Sequence, residues 1–269
     1  PSTIASQLEG SKQFAKDFMA RHNIPTAAYK VFRGDYYAEA LAYVDAHNQY
    51  PVVLKADGLA GGKGVLIPEN REELLAGLEE LRTGSLQDAA QTLVIEEFMP
   101  GEEASVFALC DGEHFEIMGT AQDHKRQLDG DKGPNTGGMG AYSPSPLLAE
   151  DMLNSVSETI IAPTIAGMAA EGNPYKGFLY VGLMMTSAGP KVVEYNCRFG
   201  DPECQVVIPR LRSDLLTHLV QSTRGELLGE DIVFDQQYRT TVVLVSGGYP
   251  VSYDKGFPIF GLDELEKVE

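Results

Sequence analysis

Basic residues are scarce in this chain of 269 residues: 21 Lys and Arg stand against 39 Asp and Glu, a formal charge of −18. A surface of that sign repels phosphate backbones and anionic lipid, which argues against nucleic acid and membranes as partners. Any anionic substrate must then be met by locally concentrated Lys and Arg. Cysteines are few and odd in number, Cys110, Cys197 and Cys204, with no C-x-x-C pair. That argues against a disulfide framework or a zinc site and fits a reducing, cytoplasmic setting. No charged-then-apolar leader opens the chain, and no apolar run approaches the ~20 residues of a membrane span. Internal repeats and low-complexity linkers are also missing. What is present is an ordinary hydrophobic content of 43% and enough length for one large or two modest domains.

The most informative stretch is Lys191 to Gln205, KVVEYNCRFGDPECQ. It begins as a strand and turns at Gly200 and Pro202. Alternation along a strand puts Glu194, Asn196 and Arg198 on one face. A carboxylate and an amide oxygen two residues apart can hold one hard divalent ion, and a guanidinium beside them can hold a phosphate. The plainer reading is a strand end followed by a polar loop.

Glycine marks two further stretches. Val52 to Leu54 lead a strand carrying Lys55, followed by Asp57-Gly58-Leu59-Ala60-Gly61-Gly62-Lys63-Gly64 and a return strand at Val65 to Ile67. This predicts a hairpin. It is not a Walker A loop: the glycine spacing differs, Gly64 stands where Ser or Thr is needed, and no helix follows. Such a loop exposes backbone N–H groups to a phosphate, or is simply a flexible tip. Gly133 to Tyr142, GPNTGGMGAY, is too rich in glycine for helix or strand and reads as a loop hugging something. It follows Gln122-Asp123-His124-Lys125-Arg126, a cluster of cations in an acidic chain.

Elsewhere the pattern is structural. Ser11 caps a helix with Phe14, Ala15, Phe18 and Met19 on its apolar stripe, ended by Asn23 and Pro25; Lys12 in its first turn opposes the helix dipole. Asn70 with Glu73 opens a helix that buries Leu74, Leu75, Leu78 and Leu81 and stops at Gly84. Thr92 to Ile95 is a strand entering the acidic run Glu96 to Glu103. Ser105–Cys110 and His114–Thr120 form a hairpin across Asp111-Gly112. A helical region from Leu148 to Glu171 bends at Pro163, and Phe178 to Met185 is a buried strand. Val206 to Gly225 reads as one amphipathic helix, and Tyr238 to Ser246 as a new strand.

The run Arg198-Phe199-Gly200-Asp201-Pro202-Glu203-Cys204-Gln205 resembles the signature of the phosphoribosylamine–glycine ligases, ATP-grasp enzymes of purine synthesis. Gly10-Ser11-Lys12, the K-A-D-G-L-A-x-G-K-G-V loop, Q-D-H-K-R and G-P-N-T-G-G-M-G-A-Y are similar to that family too, so the resemblance runs from about Leu8 to about Leu262. It implies an α+β ATP-grasp fold, two α+β lobes with the nucleotide between them. Residues 1–25 and 99–235 would form the main lobe, 26–98 a lid lobe, and 236–269 the start of a C-terminal domain. The family's leading α/β domain and part of its C-terminal domain are expected to be absent.

The resemblance also implies roles. ATP would be met by Lys12, Lys55, Gly61, Gly62, Lys63, Gly64, Glu96, Glu97, Phe98, Met99, Glu103, Arg126 and Asn135. Within that set, Glu96 and the backbone at Phe98 and Met99 would take the adenine edge and Glu103 the ribose. Mg²⁺, with Mn²⁺ as the alternative, would sit on Glu194 and Asn196, since Gly182 stands where many ATP-grasp enzymes carry a second metal carboxylate. Asp123, Lys125, Gly137, Gly138, Met139 and Gly140 would border glycine and 5-phosphoribosylamine. Arg198 and Asp201 would be catalytic. The implied partners are these small molecules, together with a missing N-terminal domain or fused purine-pathway domains. Two rivals stand beside this reading: another ATP-grasp ligase, such as a carboxylase working through carboxyphosphate, and an ATP-binding fragment without turnover of its own. The first should lack the R-F-G-D-P-E run and the G-P-N-T-G-G-M-G loop.

Overall fold

A computed structural model describes residues 1–58, 64–84, 91–130, 132–227 and 232–267. The predicted loop residues Gly61, Gly62 and Lys63 lie outside them. Two short helices open the chain, α1 (Gln7–Gly10) and α2 (Lys12–Arg21). Ser11 caps α2 by accepting from the backbone N–H of Phe14, and Asn23, with φ 55°, turns the chain away at its end. Four strands and two helices follow: β1 (Tyr29–Arg33), α3 (Tyr37–His47), β2 (Val52–Ala56), β3 (Val65–Leu66), α4 (Arg71–Thr83) and β4 (Thr92–Glu97). The strands pair antiparallel in the order β1-β4-β2-β3. Asn70 caps α4 by accepting from Glu73 N, and Leu74, Leu78 and Leu81 of that helix join Leu54, Leu93, Ile95 and the α3 residues Ala40 and Val44 in one core.

The second sheet has six strands in the order β11-β10-β5-β6-β9-β12. Its members are β5 (Glu102–Asp111), β6 (Phe115–Asp123), β9 (Gly140–Ser143), β10 (Lys176–Thr186), β11 (Gly189–Asn196) and β12 (Arg239–Val242). Alternation along β5 fills both faces. Val106, Ala108 and Cys110 pack with α2 residues Phe18 and Met19 and with Ile160, Ile165 and Met168; Phe107 and Leu109 pack with Met118, Val206 and Val207 on the other side. The helical stretch supplying Ile160 to Met168 runs as α5 (Glu150–Val156), a π-helical segment (Ser157–Ile161) and α6 (Ala162–Ala170). The widened turn lies just before Pro163, which has no N–H to give the preceding helix.

Three expectations change. The glycine-rich run is not all loop: β7 (Arg126–Leu128) pairs with β8 (Lys132–Asn135) as a two-stranded ribbon, and β9 is taken into the large sheet by β6 and β12. Paired neighbours override the weak strand propensity of glycine there. Residues 206–225 are not one helix. α7 (Cys204–Val207) runs into a 3₁₀ turn around Pro209, and Asp214 caps the separate α8 (Leu215–Arg224) by accepting from Leu216 N and Thr217 N. The final strand is shorter than read, covering only Arg239–Val242. Strands β10 and β11 also carry a register shift: Gly182 faces Glu194 and Leu183 faces Val192, which leaves Val193 as an extra residue, a bulge.

Candidate functional site

The two sheets approach each other where β2 and β4 meet α2 and β11. Asp57, just past β2, accepts from Ser11 Oγ at 3.1 Å and from Gln13 N at 2.7 Å, so this carboxylate closes the N-terminus of α2. Its charge offsets the misplaced cation of Lys12, whose Nζ donates to Gly58 O at 3.1 Å. Burial pulls the Lys12 pKa below its ordinary value, Glu194 pulls it back up, and Lys55 adds to the fall. Lys55 Nζ donates to Glu96 Oε2 at 3.0 Å and to the carbonyl of the bulged Val193 at 3.2 Å, which ties the small sheet to the large one.

Glu96 is the centre of this wall. It is 3% exposed, and its Oε2 also takes Lys16 Nζ at 3.1 Å. Its Oε1 is buried with no hydrogen-bond partner among the described residues. Glu97 points to the opposite face of β4, as strand alternation requires, and its Oε1 accepts from Ala28 N and Lys191 Nζ, each at 3.1 Å. Next in the chain, Phe98 is exposed and Met99 is buried.

On β11, Asn196 Nδ2 donates to Glu194 Oε1 at 3.3 Å, and Arg198 Nη2 donates to Asn196 Oδ1 at 3.3 Å, so the three share one face. Arg198 also pairs with Glu9 at 3.4 Å and donates to Phe199 O. Among the described residues no three His, Cys, Asp or Glu side chains are grouped to hold a metal by themselves. Glu194 and Asn196 nonetheless fit Mg²⁺, which keeps several waters and takes one or two protein oxygens beside phosphate oxygens. Gly182 itself offers no ligand atom, and a Cβ there would be tight, 3.2 Å from Tyr180 Cε1 and 3.4 Å from Glu194 Cγ.

Acidic groups dominate the neighbouring wall. Lys125 Nζ lies 2.5 Å from Glu103 Oε2 and 3.8 Å from Asp123 Oδ2. Burial raises the Asp123 pKa, Lys125 opposes the rise and Glu103 adds to it. Burial likewise raises Glu203, which is 3% exposed, with a contribution from Asp123 and opposition from the Tyr180 hydroxyl. Phe199 stacks on Phe107 at 4.5 Å between ring centroids and anchors the turn that carries Asp201. Asp201 Oδ1 accepts from Gln205 Nε2 at 2.8 Å. Gly138, at φ +116°, abuts this turn; a Cβ on it would sit 2.4 Å from Pro202 Cδ. The loop is held from the other side by Thr136 N and Met139 N, which donate at 2.7 Å to the carbonyls of Lys125 and His124. The two most distinctive motifs of the sequence are therefore in contact.

A family model described as phosphoribosylglycinamide synthetase, ATP-grasp (A) domain, matches residues 10–204. The chain belongs to that family. A phosphoribosylamine–glycine ligase of Yersinia pestis is 51% identical over 268 residues, 99% of this chain and 62% of that protein. This chain thus spans about 62% of the length of the curated relatives it matches. Among solved structures, the phosphoribosylamine–glycine ligase of Thermotoga maritima is 37% identical with a TM-score of 0.85, covering 95% of this chain and 64% of that one. An N5-carboxyaminoimidazole synthase of Aspergillus clavatus, solved with ADP and 5-aminoimidazole ribonucleotide, has a TM-score of 0.71 at 15% identity and covers 92% of this chain and 60% of that one. That second likeness concerns the fold alone. The fold is ATP-grasp.

Lys12, Lys55, Glu96 and Glu194 converge in the structure of this family member, as do Glu103, Asp123, Lys125 and the Gly137–Gly140 turn. Arg126 and Asn135 face each other across the β7–β8 ribbon, with Arg126 Nη1 donating to Gly133 O at 2.8 Å. Arg126 also lines a cleft of ~610 Å³ with His124, Met139, Tyr142, Thr240 and Val242, which takes in neither Lys12, Lys55, Glu96 nor Glu194. Glu97 is turned away from Glu96 and its lysines. Local sequence reading missed Lys16, Asp57, Tyr180 and Glu203. The available signal for Lys16 was its place inside the apolar stripe of α2, between Ala15 and Met19.

Proposed function

We propose that this chain forms the ATP-binding body of a phosphoribosylamine–glycine ligase, which joins glycine to 5-phosphoribosylamine and yields glycinamide ribonucleotide, ADP and phosphate. The observation that carries the reading is the contact of Gly138 with Pro202, which brings the two family-specific motifs to one place beside the lysine wall. A carboxylate is a poor electrophile, because displacement would expel oxide. The glycine carboxylate oxygen therefore attacks the γ-phosphorus of ATP and ADP leaves. The amine of phosphoribosylamine attacks the resulting glycyl phosphate at carbon, phosphate leaves and the nitrogen loses a proton.

The protein contributes position and charge. Lys12, Lys55 and Arg126 neutralise phosphate oxygens, and Arg198 stabilises the transferring group. Glu96 takes the adenine amino edge and Glu103 the ribose, with the backbone of Phe98 and Met99 beside them. Glu194 and Asn196 would hold Mg²⁺, which would supply positive charge to the phosphates. Asp123, Lys125, Asp201 and the 137–140 turn border the acceptors. Residues 26–98 act as the lid, swinging on their two joins to the rest. The cysteines are free, and no described helix is long and apolar enough to cross a membrane; the reading places the work in the cytoplasm.

The test is product formation by the 269-residue chain given ATP, Mg²⁺, glycine and phosphoribosylamine, with ATP binding measured in parallel. Glycinamide ribonucleotide supports the reading. ATP cleavage driven by bicarbonate instead of glycine overturns it in favour of a carboxylase. The share of the relatives that the chain spans, about 62%, favours one second reading: ATP·Mg binding with weak synthesis until the remaining part is supplied in trans.

A further inference from the structure

Lys16 has no place in the reading above, yet it is among the most thoroughly buried side chains of the protein, 2% exposed. Its ammonium has three partners: Glu96 Oε2 at 3.1 Å, Thr26 Oγ1 at 2.8 Å and Ala27 O at 3.4 Å. Thr26 is itself fixed, its hydroxyl donating to Val192 O at 2.7 Å. Lys55 meets the same oxygen of Glu96 at 3.0 Å. Two cations on one carboxylate are more than neutralisation requires, and Lys55 lowers the proton affinity of Lys16. Burial and then Lys55 bring the Lys16 pKa down to about 8 against the pull of Glu96.

The two lysines differ in what else they can reach. Lys55 is also held by a backbone carbonyl of β11, beside Glu194, on the side where the phosphates are read to lie. Lys16 is enclosed by Thr26, Ala27 and Glu96. A nucleotide that draws Lys55 toward its phosphates would leave the carboxylate free to rotate unless another donor holds it. We infer that Lys16 is a positioning residue that keeps Oε2 of Glu96 engaged while nucleotide binds, so that Oε1 stays the free acceptor for the 6-amino group of the purine. The second, independent observation is that orphaned oxygen: a buried carboxylate acceptor with no donor among the described residues is costly unless a ligand supplies one. The inference rests on the reading of Glu96 as the adenine contact.

The experiment compares ATP with purine riboside triphosphate, which lacks the 6-amino group, by calorimetry on the chain with Mg²⁺. Wild type binds ATP more tightly by about tenfold, since the analogue leaves Oε1 unmet. Lys16→Met lowers ATP affinity to that of the analogue and leaves the analogue within about twofold of its wild-type value. Thr26→Val, which removes one anchor of Lys16 and keeps its charge, lowers the ratio by about threefold and gives the answer if the methionine variant does not fold. Equal binding of both nucleotides by wild type sinks the reading of Glu96 itself. A wild-type preference that survives in both variants, or an equal loss of both nucleotides in Lys16→Met, overturns the role of Lys16 alone and leaves it a structural pin.

Discussion

The lysine wall around Glu96 and the acidic wall around Glu203 are built from opposite charges and perturbed by the same force. Burial pulls Lys12 and Lys16 down and pushes Asp123 and Glu203 up. Each wall is thus moved toward neutrality, and each spends folding stability to stay charged near neutral pH. The difference lies in what would relieve the strain. An anion does so for the lysines and a cation or a proton for the acids. A polyphosphate on one side and an amine on the other would satisfy both, whereas exchanging them would worsen both.

The largest effect should come from emptying the lysine wall of its anion. Glu96→Gln leaves two buried ammonium groups without a countercharge, and urea unfolding should show a loss of about 3–5 kcal/mol. A loss under about 1 kcal/mol would mean that the two lysines do not depend on Glu96. Next comes the metal. Glu194→Gln keeps the shape of the side chain, and ATP affinity in Mg²⁺ should fall by at least the roughly 10–100-fold that loss of an outer partner costs a metal site. Affinity without Mg²⁺ should not fall, because a repelling charge has gone. A Mg²⁺ dependence equal to wild type would remove Glu194 from the site.

Gly138→Ala addresses the acidic wall. The positive φ and the 2.4 Å approach to Pro202 make a side chain strained there, so the cost in stability should be about 1–3 kcal/mol. Acceptor affinity should suffer more than ATP affinity; the reverse would show that the walls are not separable. The smallest effects are pH slopes, each below about 1.4 kcal/mol per pH unit. Folded Lys16 holds its proton less tightly than its ordinary value of 10.5, so the unfolded chain binds more protons between about pH 8 and that value, and stability rises with pH there. Glu203 is raised, so its contribution is full below its ordinary 4.5 and is lost as pH rises through the folded value. Lys16→Met should flatten the alkaline slope and Glu203→Gln the acid one, read as denaturation midpoints against wild type. Slopes of the same sign would break the comparison.

Local patterns gave most of the framework. The hairpin around Lys55, the Asn70 cap and the turn at Asp111-Gly112 are short-range devices, and each appears where its residues require it. Failures came where partners distant in sequence decide the outcome. Gly140 lies in a strand because β6 and β12 lie on either side of it, and a Cβ there would sit 2.5 Å from Thr241 O. Residues 206–225 keep an amphipathic pattern across the Pro209 turn, and the pattern hides the break. In the site, Glu194, Asn196 and Arg198 were legible because a strand's alternation alone puts them on one face. Lys16 and Glu203 were not, since a buried charge is explained only by groups brought to it from other parts of the chain: Thr26 and Glu96 for one, Asp123 and Tyr180 for the other.

The extra residue at Val193 sets the phase of its strand. In a regular strand Val192 and Glu194 would look the same way. Across the bulge, Val192 stands opposite the core residue Leu183 while Glu194 stands opposite Gly182. One inserted position therefore inverts the parity of everything downstream, so that a valine belongs to the interior and a carboxylate two places on belongs to the cleft. This makes β11 tolerant of exchanged letters and intolerant of a changed count. Deleting Val193 would close the bulge and leave Glu194 opposite Gly182, but it would remove the carbonyl that holds Lys55 and shift every position before it along the partner strand. Over the history of such a chain, this strand should accept substitutions far more readily than a gain or loss of length.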